Sequence, residues 1–238
     1  MVTRREPLLP LCPAPCMAYD RTMSAVAKTY TAAEKRLDSA VHVVGLGLAL
    51  LAVPLLIGAA LVRALDTGSG SFVVAVTIYG ASFLGMLGAS ALFNMGVNPA
   101  LNWLFQRIDH AAIYVKIAGT YTPFTLITGQ GLGLLAGLWG AAAVGVALKI
   151  VSPLRFRVLA LGLYLGMGWV GVALLPGLSA SLPLSVVVLM VSGGVVYTLG
   201  VVFYLWTRLP YHFAIWHIFV LVGSFLFYAA VMAMLLSL

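Results

Sequence analysis

The chain has 238 residues, 63% of them hydrophobic and only 8% charged, with a formal net charge of +7 and a mean hydropathy of +1.10. That much apolar side chain exceeds what the core of a water-soluble domain absorbs, so the composition excludes a soluble globular protein and points to a polytopic membrane protein. The basic residues show no interleaving with aromatics, which makes anionic lipid headgroups their partners and excludes a nucleic-acid role.

Residues 1–29 are expected to form a disordered tail. Pro10, Pro13 and Pro15 interrupt the short apolar run behind Arg4-Arg5, so no h-region of a secretory signal remains. Cys12 and Cys16 in this tail read as free thiols. Thr31-Ala32-Ala33-Glu34 has the form of a capping box, so a helix begins there and runs into the first apolar stretch. Apolar runs follow at 41–62, 72–95, 111–128, 131–148, 158–175, 182–206 and 213–236. Each approaches or exceeds the roughly 17–25 residues of a spanning helix. Their continuity argues against barrel strands, which alternate, and for helices that satisfy their own backbone. The fold expected is an all-α integral membrane protein, a seven transmembrane helix bundle over residues 30–238 with short loops such as Gly129-Gln130-Gly131.

Orientation follows from the basic residues. Arg4, Arg5, Arg21, Lys28, Lys35, Arg36, Arg107, Lys149, Arg155, Arg157 and Arg208 all fall before the first run or in the second, fourth and sixth loops. The positive-inside rule then places the amino terminus in the cytoplasm and the carboxyl terminus outside.

Polar residues inside the runs cluster at one level. Glu34, Asp38 and His42 share a face at the start of helix 1, and Ser90 and Asn94 sit four apart at the end of helix 2. Asp109 and His110 open helix 3, while His212 and His217 open helix 7. Ionisable groups in spans are costly and are therefore functional candidates by default. Lys116 lies two turns beyond Asp109 on the same face, inside a run where a central lysine costs about 2.5–3.5 kcal/mol. It either snorkels toward the interface or forms a cation within the polar cluster. Further along, Pro123 leaves the Gly119 carbonyl without its helical partner, so a kink is expected, with Thr120, Tyr121 and Thr122 satisfying that group or lining a cavity.

Three segments carry a family resemblance: Glu34 with His42; 104–124, which includes Asp109-His110-Ala111-Ala112-Ile113-Tyr114 and Ala118-Gly119-Thr120-Tyr121-Thr122-Pro123-Phe124; and Ala214-Ile215-Trp216-His217. From Tyr30 onward the chain resembles the bacterial hemolysin III family, relatives of the progestin and adipoQ receptors and, more distantly, of alkaline ceramidases. The resemblance implies seven helices in the bacterial cytoplasmic membrane. It also implies a zinc ion held by three histidines, one from S-x3-H in helix 2 and two from H-x3-H in helix 7, beside a serine and an aspartate. Ser90 keeps its place, but Asn94 and Phe213 stand where two of the histidines belong, leaving His217. His212 is five residues from His217, and at about 100° per residue it points elsewhere unless the turn is irregular. A catalytic zinc needs three protein ligands and a water, an amide is a weak ligand and a phenyl ring is none, so no firmly held cofactor is expected. His217 and Asp109, with a displaced His42 or His212, are the candidate ligands of a rearranged zinc site. The competing expectation is that Lys116 replaces the metal charge and pairs with Asp109 or Asp38.

Three functions follow. The first is a lipid-sensing or envelope protein, noncatalytic or nearly so, with membrane lipids as its partners. The second is a hydrolase of lipid amides or esters, in which Asp109 is base or metal ligand, Ser90 assists and His217 is ligand or proton carrier. The third is a pore or transporter, for which one deep lysine makes a poor pathway.

Overall fold

In lipid, an apolar segment has no water to satisfy its backbone, and each run closes its own hydrogen bonds as a helix. The computed structural model describes residues 30–151, 157–173 and 181–237; the expected tail, with Cys12 and Cys16, lies outside them. The described residues form α1 (Ala32–Thr67), α2 (Ser71–Asn94), α3 (Asn102–Thr128), α4 (Leu132–Val151), α5 (Arg157–Ala173), α6 (Leu184–Leu205) and α7 (His212–Ser237), with a 3-10 turn at Pro99–Leu101 and no strand. These are the seven predicted runs, and α1 begins at the predicted capping sequence with Glu34 in its first turn. By length and composition, α1, α2, α4, α6 and α7 are long and apolar enough to cross a membrane. α3 carries too many polar groups to meet that test, and α5 is 17 residues long. Leu51, Leu55 and Leu65 of α1 are exposed, a surface suited to lipid. The protein is an all-α membrane protein with a seven-helix bundle.

Polar contacts set the helix directions. Near the end of α1, Arg63 donates from Nε to the Leu235 carbonyl at 2.7 Å and from Nη2 to that of Leu236 at 3.2 Å. The last carbonyls of a helix lack intrahelical partners, so the guanidinium satisfies them and brings the ends of α1 and α7 together. At the opposite end, Glu34 Oε1 accepts from the Tyr211 N–H at 2.9 Å. Tyr211 has φ 58°, a left-handed backbone unusual for a tyrosine, and Glu34 holds that turn at the entry to α7. α1 and α7 therefore run parallel. Arg107 Nε donates to the Ile150 carbonyl at 3.1 Å, joining the start of α3 to the end of α4. Tyr164 of α5 donates to the His110 carbonyl of α3 at 2.9 Å. The Tyr197 and Ser224 hydroxyls meet at 2.5 Å, linking α6 to α7.

Helix approach is closest where side chains are missing. A Cβ on Gly119 of α3 would lie 2.3 Å from Ser82 Oγ of α2, and one on Gly171 of α5 would lie 1.9 Å from the Tyr121 ring. Tyr121 uses that approach to donate its hydroxyl to the Gly168 carbonyl. α3 continues through Pro123, but its hydroxyls do not serve the freed Gly119 carbonyl: Thr120, Thr122 and Thr125 donate to the carbonyls of Lys116, Ala118 and Tyr121.

Two outcomes are expected in thermal unfolding of the detergent-solubilised protein. Gly119→Ala overpacks the α2–α3 contact and destabilises by about 1–3 kcal/mol, while Gly140→Ala, with no neighbouring atom within 4 Å, stays within about 0.5 kcal/mol of the parent. Glu34→Ala lowers the transition by stranding the Tyr211 N–H, and Tyr211→Gly raises it by up to about 1 kcal/mol by relieving the left-handed backbone.

Candidate functional site

Asp38 and His42 are four residues apart on α1 and so lie on one face; His217 is in the second turn of α7. The parallel pairing of these helices brings the three together. Asp38 Oδ1 lies 2.5 Å from His217 Nδ1, and Asp38 Oδ2 lies 3.6 Å from His42 Nε2. The two imidazole rings are 4.4 Å apart between centroids, tilted by 59°. His42 is 5% and His217 9% exposed, so the carboxylate is held between two buried rings, where a charge-assisted hydrogen bond is strong. His42 Nε2 is buried and makes no hydrogen bond.

A second polar group stands beside the first. Asn94 donates from Nδ2 to the Ser90 carbonyl at 2.9 Å and to Ser90 Oγ at 3.2 Å. Ser90 Oγ thus accepts from Asn94, and Asp109 of α3 lines the same cavity as Ser90. Both groups border a cavity of about 360 Å³ lined on its polar side by His42, Ser90, Asp109, His217, Lys116 and Thr120. Leu87, Leu165, Trp169, Val201 and Leu221 form part of its apolar wall.

The structure places the other sequence candidates as follows. His110 also borders the cavity, its ring edge-on to Phe93 at 6.2 Å. Asp38 sits behind His42 and His217, Asn94 folds back on its own helix, and Glu34 holds the turn before α7. His212 is buried at the first residue of α7, edge-on to Phe213 at 5.5 Å. Lys116 does not form the ion pair expected with Asp109 or Asp38. Its Nζ donates to Thr120 Oγ1 at 2.8 Å and lies 4.4 Å and 4.9 Å from the ring centroids of Tyr79 and Phe83. Of the two alternatives for Lys116, snorkelling or a cation within the polar cluster, neither describes these contacts, since the ammonium is turned to Thr120 one turn further along α3 and to two ring faces of α2.

Lys149 and Tyr164 also line the cavity and were not among the sequence candidates. Lys149 reads in sequence as a loop charge at the end of an apolar run, yet it is buried. Nothing in the residues around Tyr164 marks it.

Chemically, two imidazoles and one carboxylate form a donor set used by catalytic zinc, and the ligand atoms of Asp38, His42 and His217 all lie within 4.8 Å of one another. These residues fit a metal ion. The three-histidine arrangement is not met: the Asn94 amide nitrogen is turned to Ser90, and the Phe213 ring packs edge-on against His217 at 5.3 Å.

Known proteins share this architecture in sequence. The family described as Haemolysin-III related matches residues 30–228. Hemolysin-3 of Bacillus cereus is 40% identical over 191 residues, covering 79% of this chain and 86% of that protein. A Hemolysin-3 homolog of Bacillus subtilis (strain 168) is 38% identical over 198 residues, 82% of this chain and 91% of that protein. The human protein named Monocyte to macrophage differentiation factor is 28% identical over 199 residues, 77% of this chain and 79% of its own. The family match spans most of the chain and takes in Asp38, His42, Ser90, Asp109 and His217, and on that ground the chain belongs to the haemolysin-III related family.

Proposed function

We propose that this protein binds a membrane lipid in the cavity between its helices and acts as a lipid sensor of the bacterial cytoplasmic membrane. One observation carries the reading: the cavity joins a polar group that includes His42, Ser90, Asp109, His217 and Lys116 to an apolar wall that includes Leu87, Leu165, Val201 and Leu221, the combination an amphiphile needs. The basic residues before α1 and between the helices support a cytoplasmic amino terminus, with residues 1–29 as a cytoplasmic tail and the polar end of the cavity on that side.

A metal-dependent hydrolase of lipid amides or esters is the second reading, favoured by the Asp38, His42 and His217 group. Zinc there would supply a water whose pKa is lowered toward about 7. Asp109, which lines the cavity with Ser90, would be the residue to hold a proton beside a ligand there.

Native mass spectrometry of the purified full chain is expected to show a co-purifying lipid, lost when Leu165→Trp fills the cavity; absence of lipid from the parent protein overturns the reading. Metal analysis separates the two functions. Stoichiometric zinc that is lost in Asp38→Ala and His217→Ala but kept in Asn94→Ala, together with turnover of an acyl amide, selects the hydrolase, and bound lipid with neither selects sensing. Orientation is tested in a Cys12→Ser, Cys16→Ser background: an impermeant maleimide added to intact cells should label Ser69→Cys and spare Arg208→Cys. The reverse pattern inverts the topology.

A further inference from the structure

Lys116 is a buried amine that has no carboxylate partner among the described residues. It is 3% exposed, and among the described residues no carboxylate lies within 4.0 Å of it. Of the carboxylates near the site, Asp38 is taken up by His42 and His217, and Asp109 forms no ion pair with Lys116. An ammonium has three N–H donors, and only Thr120 Oγ1 meets one of them with an oxygen. The Thr120 hydroxyl donates to the Lys116 carbonyl at 2.7 Å, which fixes this oxygen as an acceptor facing the ammonium. The rings of Tyr79 and Phe83 attract the charge by their faces without neutralising it. Lys116 and Thr120 both border the cavity, and Thr120 Oγ1, the oxygen that holds the ammonium, belongs to that lining residue.

We infer that the cavity takes a single-chain lipid with an anionic oxygen head, that the head pairs with Lys116, and that the chain lies along the apolar wall that includes Leu165, Trp169 and Leu221. The inference rests on the lipid-binding reading and names its ligand class. A volume of about 360 Å³ stands at the lower end of small-molecule pockets, which favours one chain over the two of a phospholipid. A free long-chain carboxylate and the phosphate of a lysophospholipid share the required chemistry. Lys149, buried and bordering the same cavity, adds a second basic residue to its lining.

The test uses the full chain in phosphatidylcholine nanodiscs. Trp169 and Trp216 line the cavity, so a brominated chain that enters it quenches their fluorescence. Trp103→Phe, Trp139→Phe and Trp206→Phe remove the background. The probes are a brominated long-chain carboxylate, a lysophosphatidylglycerol bearing the same chain, and the corresponding alcohol. At least one anionic probe is expected to bind about tenfold more tightly than the alcohol, equal to about 1.4 kcal/mol, and the stronger of the two identifies the head. Lys116→Met should erase that advantage, so that anionic probes and alcohol bind alike within the variant, while Lys116→Arg keeps most of it; Lys116→Gln carries the comparison if the methionine variant does not fold. Equal binding of alcohol and anions by the parent protein, or an advantage that survives loss of the lysine charge, overturns the role of Lys116 while leaving lipid binding intact. If no probe quenches, the alcohol included, the lipid-binding reading falls with it.

Discussion

The Asp38 carboxylate is the constraint around which the site is arranged. A carboxylate buried alone in a membrane bundle is costly, and Asp38 is accommodated by His217 at 2.5 Å and His42 at 3.6 Å. His42 comes from its own helix, but His217 comes from α7, 179 residues later in the chain. The contact therefore sets the register of the first helix against the last. Arg63 on the Leu235 and Leu236 carbonyls and Glu34 on the Tyr211 N–H hold the same pair at its two ends. Three polar contacts spaced along α1 leave α7 little freedom to slide, and that fixed register is what lets His217 face the cavity together with Ser90 and Asp109.

Much of the fold was legible because its determinants are local. Each of the seven runs is continuous in apolar residues, and the Thr31–Glu34 sequence marks the start of α1 within one residue. The level of the polar cluster was legible as well, since residue count and about 1.5 Å of rise per residue give depth along a helix. Partner choice at that level was not. It depends on how each helix is rotated about its axis and on which helices are neighbours, and a single sequence states neither. Lys116 illustrates the gap: it shares a helical face with Asp109, yet its long stem follows the rings of Tyr79 and Phe83 on α2. Lys149 and Tyr164 were missed because burial of an interfacial lysine, or of one tyrosine among several, leaves no mark in spacing.

Asn94 and Phe213, which stand where the family resemblance implies histidines, each have a partner in the folded chain. The Asn94 amide donates to the Ser90 carbonyl and hydroxyl. Phe213 gives His217 a ring edge at 5.3 Å and contacts Tyr204 at 6.0 Å. Neither residue joins the group that could hold a metal; among the described residues that group is Asp38, His42 and His217, on the α1–α7 side.

Charge along the cavity then has an order. Asp109 and Lys116 are seven residues apart on one face of α3, about 10 Å along the axis. Next to Asp109 the potential disfavours an anion unless a cation occupies the histidine group; next to Lys116 it favours one. On the proposed reading an anionic head is directed past Asp109 to the ammonium, while a neutral amide or ester meets no such gradient. Lys116 is held by Thr120 and two ring faces and has no carboxylate within 4.0 Å among the described residues, and it is this that would let the cavity sort ligands by charge.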